Sequence, residues 1–192
     1  MYELFFSRIA EKIELTEEEK ALFITYLTPK KLRRKQYLLQ EGDVCKSVAF
    51  VEKGALRSYT IDNKGTEHII QFALEGWWIS DMYSMLTGEP SNQNIDAIED
   101  SELVIISRNA QEELMERIPK YERYNRLLLQ NAYIAAQRRI NYMASLTTEE
   151  KYTKLVSTYP DIVQRVPQHM IASYLGLTPE TLSRARKQMT RK

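Results

Sequence analysis

The 192-residue chain has one cysteine, Cys45, and two histidines, His68 and His169. A lone cysteine excludes an intramolecular disulfide and any zinc or iron–sulfur site that takes several thiolates from one chain. The histidines lie far apart in sequence and lack metal-ligand spacing. No run of about 18 apolar residues is present, so no membrane-spanning helix is expected. The start, Met1-Tyr2-Glu3-Leu4-Phe5-Phe6, is acidic and amphipathic and does not read as a signal peptide. Cys45 is therefore expected to be a reduced, structural residue of a cytoplasmic protein. Glycine is scarce, at six residues, and builds no phosphate-cradling loop. A Ser/His/Asp set and a nucleophile elbow are also missing. These absences predict no catalytic residue, no metal and no cofactor.

What is present is an uneven charge. Residues Arg165 to Lys192 hold six cations (Arg165, Arg184, Arg186, Lys187, Arg191 and Lys192) against one acid, Glu180. That segment is formally +5 in a chain of net charge +1, so the remainder sums to −4. One basic end on a near-neutral protein implies that this end meets a polyanion. The hydrophobic fraction of 43% is enough for real cores in one large or two small domains.

Spacing within the basic end points to a helix-turn-helix. Ile171 and Leu175 share one face of a first helix, and Ala172 is small where a second helix must cross closely. Gly176 follows, where a left-handed backbone ends the helix most cheaply. Thr178 supplies an N-cap oxygen and Pro179 suits the first helical position. Leu182 and Ala185 face inward. Outward lie Glu180 and Arg184, four apart, with Thr181, Ser183 and Lys187. A carboxylate can accept from cytosine N4, a guanidinium can fork onto guanine, and Thr181 can touch a thymine methyl. Arg186, Lys187, Arg191 and Lys192 suit phosphate contacts, which position without specifying. A mutual Glu180–Arg184 ion pair is the plainer alternative, as is an ordinary helical hairpin for the whole segment.

Upstream, residues 2–28 read as helical, with a capping box at Thr16-Glu17-Glu18-Glu19 and a stop at Pro29. The basic run Lys30 to Lys35 reads as a solvated edge leading into a strand. From Gln36 to Ser107, short strands alternate with polar glycine turns, the pattern of an antiparallel barrel or sandwich. Residues 108–146 read as one long helix whose seam runs through Leu114, Ile118, Tyr121, Leu128, Ala132, Ala135 and Tyr142, with Asn125 and Arg139 in its gaps. The seam suits a dimeric coiled coil or packing on the strands. Thr147 or Thr148 caps the next helix, which Pro160-Asp161 is expected to end.

This order, together with Leu39-Gln40-Glu41-Gly42-Asp43, Phe50 to Arg57 and Gly76-Trp77-Trp78-Ile79-Ser80-Asp81, resembles the Crp/Fnr family of transcription regulators. The likeness covers nearly the whole chain. It implies an α+β protein: a cyclic-nucleotide-binding-like antiparallel β-roll with N-terminal helices (1–107), a long dimerisation helix (108–146) and an all-α helix-turn-helix domain (147–192) without an evident wing hairpin. It also implies double-stranded DNA and a second copy of the chain as partners, and no membrane. A small-molecule effector is left open.

The resemblance places a degenerate ligand pocket at Gly76, Ser80, Asp81, Ser91 and Asn92. The family's phosphate-binding Gly-Glu pair falls on Ser80-Asp81, and its Arg-Ser-Ala triplet on Ser91-Asn92-Gln93, so the arginine is replaced. The helix positions that touch the base become Ala136-Gln137. Nine acids and one lysine between Ser58 and Ser107 further disfavour a phosphate. The family's oxygen sensors use several N-terminal cysteines, which are not seen here, and haem-binding members would have only His68 or Cys45 for an axial ligand. Trp77 and Trp78 suit either a lid over an apolar ligand or core filling. The reading is a sequence-specific DNA-binding regulator that does not respond to cyclic AMP in the usual way. The alternative is a ligand-binding or protein-interaction module whose helix-turn-helix is a docking surface.

Overall fold

The computed structural model describes residues 2–189. Two compact units divide the chain: one runs to Thr60 and resumes over Gln71–Gln130, and the other comprises Ile61–Ile70 and the chain from Asn131.

The first unit opens with α1 (Glu3–Ala10) and α2 (Glu17–Ile24). Thr16 accepts from the Glu19 N–H while Glu19 accepts from the Thr16 N–H, so the expected capping box is formed. Eight strands follow: β1 (Thr28–Leu32), β2 (Tyr37–Leu39), β3 (Ser47–Lys53), β4 (Leu56–Ile61), β5 (Glu67–Ala73), β6 (Trp78–Ile79), β7 (Asn94–Ala97) and β8 (Ser101–Ser107). They form two four-stranded sheets, β1-β8-β3-β6 and β2-β7-β4-β5. A short helix, α3 (Met82–Thr87), sits between β6 and β7.

Two sequence readings change here. The basic run is itself partly strand: β1 pairs antiparallel with β8 at the sheet edge, and Lys31 meets Glu102 at 3.1 Å. Charged lysines on an edge strand disfavour pairing with another chain, which accounts for the composition. The long helix is also two helices, α4 (Arg108–Arg117) and α5 (Pro119–Ser145). Ile118 leaves the helical region at φ −128°, ψ 82°, because a residue before proline is driven out of it by the proline ring.

Aromatic packing holds the first unit together. Phe5 is fully buried and meets Phe23, Phe50 and Trp78 edge-on at 5.3–5.8 Å between ring centres. Trp78 also donates to the Tyr124 hydroxyl at 3.2 Å. Leu114, Ile118 and Tyr121 join this same core, with Leu128 packed against it. The N-terminal half of the expected seam therefore packs on the strands, and Trp78 is core filling. Each such side chain, fully buried, contributes about 1.5–3 kcal/mol.

The second unit is helical after α5: α6 (Thr148–Thr158), α7 (Pro160–Arg165), α8 (Gln168–Tyr174) and α9 (Pro179–Met189). Thr147 is the N-cap of α6, in a capping box with Glu150. As expected, α6 ends just before Pro160. Pro160 then opens a separate helix, α7, at the first position, where its missing N–H has no cost.

The end of the β4–β5 hairpin belongs to this unit. Ser173 Oγ accepts from the Ile69 N–H at 3.0 Å and donates to the Glu67 carbonyl at 2.9 Å. Arg139 donates to the carbonyls of Ile69, Ile70 and Tyr174 and lies 4.3 Å from the Tyr174 ring centre. The hairpin turn is tied by Asp62, which accepts from the Lys64 and Thr66 N–H groups and faces His68 Nε2 at 2.9 Å.

The His68 hydrogen bond first, and then the Thr66 and Lys64 N–H bonds, bring the Asp62 carboxyl down to about 2. A folded value below the unfolded one stabilises the turn above the ordinary carboxylate range, and that contribution is lost as pH falls through about 2. NMR titration of the Asp62 carboxyl is expected to give a midpoint near that value, rising in His68→Ala. An ordinary midpoint in the unsubstituted protein would contradict the assignment.

Candidate nucleic-acid interface and β-roll cleft

The helix-turn-helix is built by its caps. Gly176 takes φ 68°, its N–H reaches the Ser173 carbonyl at 3.0 Å, and the Leu177 N–H reaches Ala172 at 2.9 Å. These two bonds form a Schellman motif, which ends α8 and satisfies its last carbonyls. Thr178 Oγ1 then accepts from the Thr181 N–H at 3.2 Å and starts α9. Ile171, Ala172, Leu175, Leu182 and Ala185 are all buried, so the inner faces of the two helices are those expected from the sequence.

The outer face of α9 carries the remaining residues. Thr178, Pro179, Glu180, Ser183, Arg184 and Lys187 are exposed, and Thr181 is half-buried. Glu180 is held below the usual carboxylate range, first by its own backbone N–H, then by the Thr178 hydroxyl, with Arg184 adding a smaller effect. It is therefore an acceptor at neutral pH. Arg186 lies 5.8 Å from the Tyr152 ring centre, so its guanidinium is steered towards α6. Arg191 and Lys192 lie outside the described residues.

In the β-roll, Asp81 and Ser91 are brought together and bond to each other, while Ser80 bonds elsewhere. Asp81 is 2% exposed, caps α3 by accepting from the Ser84 N–H at 3.2 Å, and accepts from Ser91 Oγ at 2.6 Å. Ser91 is itself buried, with its N–H on the Asp43 carbonyl and its carbonyl on the Gly42 N–H. Ser80 donates to the Ser47 carbonyl at 3.1 Å and lines a cleft of about 440 Å³ with Cys45, Ile79 and Ile95. Gly76 and Asn92 are not part of that lining. Gly76 makes a left-handed turn at φ 82°, where a Cβ would stand 2.6 Å from Arg8 Nε. Asn92 is exposed.

Sequence reasoning did not find a second polar cluster. Arg57 and Asp96 are both buried and form a bidentate pair, with Nε to Oδ1 at 2.8 Å and Nη2 to Oδ2 at 3.0 Å. The Arg57 guanidinium lies 4.1 Å over the Tyr59 ring. Burial first, then Tyr37 and Asp96, push the Tyr59 hydroxyl well above the ordinary tyrosine range. The two residues lie on paired strands, Arg57 opposite Asp96. Only a correct strand register would have revealed them. Among the described residues, no three His, Cys, Asp or Glu side chains gather to hold a metal ion. No helix among them is long and apolar enough to cross a membrane.

Residues 29–118 match the cyclic nucleotide-binding domain. Electron transport regulator A of Shewanella oneidensis is 26% identical over 166 residues, covering 81% of this chain and 66% of that protein. The fumarate and nitrate reduction regulatory protein of Vibrio cholerae is 27% identical over 166 residues, with the same coverage of 81% and 66%. The chain thus spans just under two thirds of the length of these curated relatives. The solved structure of FixK2 from Bradyrhizobium japonicum has a TM-score of 0.71 over 86% of this chain and 85% of that one, at 22% identity, so the fold is shared. A nucleotide-binding-type β-roll followed by a helix-turn-helix defines the class. The chain thus carries a match to the cyclic nucleotide-binding domain and is similar over most of its length to bacterial regulatory proteins.

Ser91→Ala removes one of the two donors of a buried carboxylate. It is expected to cost about 1–3 kcal/mol in urea unfolding. A loss indistinguishable from zero would show that the Asp81–Ser91 bond does not stabilise the β-roll.

Proposed function

We propose that the chain is a sequence-specific DNA-binding transcription regulator, acting in the cytoplasm as a homodimer and without catalytic activity. The observation that carries this reading is α9, a capped helix whose buried face locks it to α8 while Glu180, Ser183, Arg184 and Lys187 stand exposed. The divisions expected at 107 and 146 then separate sensing, pairing and reading parts.

Pairing is supported by an apolar stripe on α5. Leu129, Tyr133 and Ile140 are 55%, 66% and 61% exposed, and with Ala136 and Met143 they step by four, three, four and three. That spacing is the seam of a two-stranded coiled coil. It is one residue out of phase with the seam through Leu128, Ala132 and Ala135 expected from the sequence. Two α9 helices in such a dimer would enter successive major grooves.

Cyclic AMP is not the expected effector. Ser91 stands where the family's arginine would be, and Asp81 is already bonded to it. Titration calorimetry is expected to give no binding at micromolar cyclic AMP, and saturable heat there would overturn this. The alternative, a protein-docking surface on α9, predicts no steep salt dependence on duplex DNA. With a bound duplex in hand, Arg184→Ala should lose about 1–3 kcal/mol of discrimination at one base pair. Lys187→Ala should weaken all sequences alike. Equal effects of both on every duplex would remove Arg184 as a base reader.

A further inference from the structure

A groove of about 730 Å³ runs between α5 and α6, wholly within the second unit. Its size is that of a small-molecule site. Four cations line it, Arg138 and Arg139 from α5 and Lys151 and Lys154 from α6, and among the described residues no carboxylate does. Arg139 is pinned by backbone carbonyls and by the Tyr174 ring, so its charge is fixed at the wall. Lys154 reaches across from α6 to within 5.8 Å of the Tyr142 ring centre on α5. Four like charges on one groove, with no carboxylate in its described lining, raise the local potential for an anion. Between them the walls are apolar, with Ile134 on one side and buried Leu155 on the other.

We infer that this groove binds a nucleotide-type ligand, a planar aromatic body carrying at least two negative charges. The charges would sit on the Arg138, Lys151 and Lys154 head groups as charge-assisted hydrogen bonds. The ring would lie on the Tyr142 and Leu155 walls. Alternation of cations and rings, in place of a continuous apolar tube, favours this class over an acyl chain. Met143 lines the groove as well as the pairing stripe, while the groove's Arg138 and Tyr142 face away from the stripe. Taking 3.6 residues per turn, positions 129, 133, 136 and 140 fall within about 60° of arc, and Arg138 and Tyr142 lie about 150° or more away. Its two walls stand on either side of the joint at Leu146-Thr147, where α5 gives way to α6. A ligand bonded to both walls favours one angle of that joint over others, since a ligand shifts conformations by its differential affinity. It would supply an input that the β-roll, whose Asp81 and Ser91 bond to each other, does not offer there.

The test uses the full chain and fluorescent N-methylanthraniloyl ATP and GTP, with unlabelled ATP, GTP and cyclic dinucleotides as competitors. Saturable binding with Kd of about 100 µM or tighter is expected. Adenosine and inorganic tripolyphosphate should each bind at least about tenfold more weakly, since each lacks half of the recognised chemistry. Arg138→Ala and Lys154→Ala, both at exposed positions, should each weaken the nucleotide by about tenfold. Lys31→Ala, on strand β1 of the first unit, should leave it unchanged. No saturable binding by any of these nucleotides would overturn the inference. So would tripolyphosphate binding as tightly as nucleotide, or insensitivity to both groove variants. If the groove variants weaken duplex DNA as Lys187→Ala does and no nucleotide binds, the cations are a phosphate-backbone surface and the inference fails while the DNA reading stands.

Discussion

A carboxylate taken out of water must find donors, and Asp81 finds both of its own within the β-roll. The Ser84 N–H and the Ser91 hydroxyl reach it from either side, at 3.2 and 2.6 Å. Leaving such a group unsatisfied costs more than the bond contributes. The loop between α3 and β7 is consequently pinned beside β6, and Ser91 in turn holds Gly42 and Asp43. Arg57 and Asp96 solve the same problem on the other sheet by a bidentate pair. The Asp81 cluster stands where the likeness to nucleotide-binding β-rolls would place ligand chemistry, and its polar groups bond to one another. The fold keeps the architecture of a sensor while its polar groups bond to one another.

The second unit depends on a different constraint. A short turn between α8 and α9 must satisfy the last carbonyls of one helix and the first N–H groups of the next. Gly176 and Thr178 do this with a Schellman motif and an N-cap. With both ends fixed, α9 has one buried face, so its polar residues have a defined outward direction. Arg139 and Ser173 tie the end of the β4–β5 hairpin to this unit through backbone atoms. Backbone contacts fix a position without depending on which residues the hairpin carries.

The features legible in the sequence were those written in local chemistry. Gly176, Thr178 and Pro179 announce a turn and a helix start within four residues, and both capping boxes are similarly local. The strand region showed through its turns. Features that depend on distant partners were hidden. Arg57 gives no local sign of Asp96, and Ser173 looks like any helix serine until Glu67 and Ile69 arrive beside it. Two misreadings have simple causes. Pro119 displaced Ile118, and β1 draws its order from β8 rather than from its own residues. The proposed pairing stripe runs through Leu129 in place of Leu128 because Leu128 packs on the core while Leu129 faces outward.

The central claim is that two α9 helices read DNA together. Selection of bound fragments from a random duplex pool, with the full chain at physiological salt, tests it most directly. The expected product is a palindrome whose half-sites are centred about 10–10.5 base pairs apart or a multiple of that. An enriched single half-site, or no enrichment over the starting pool, would contradict it.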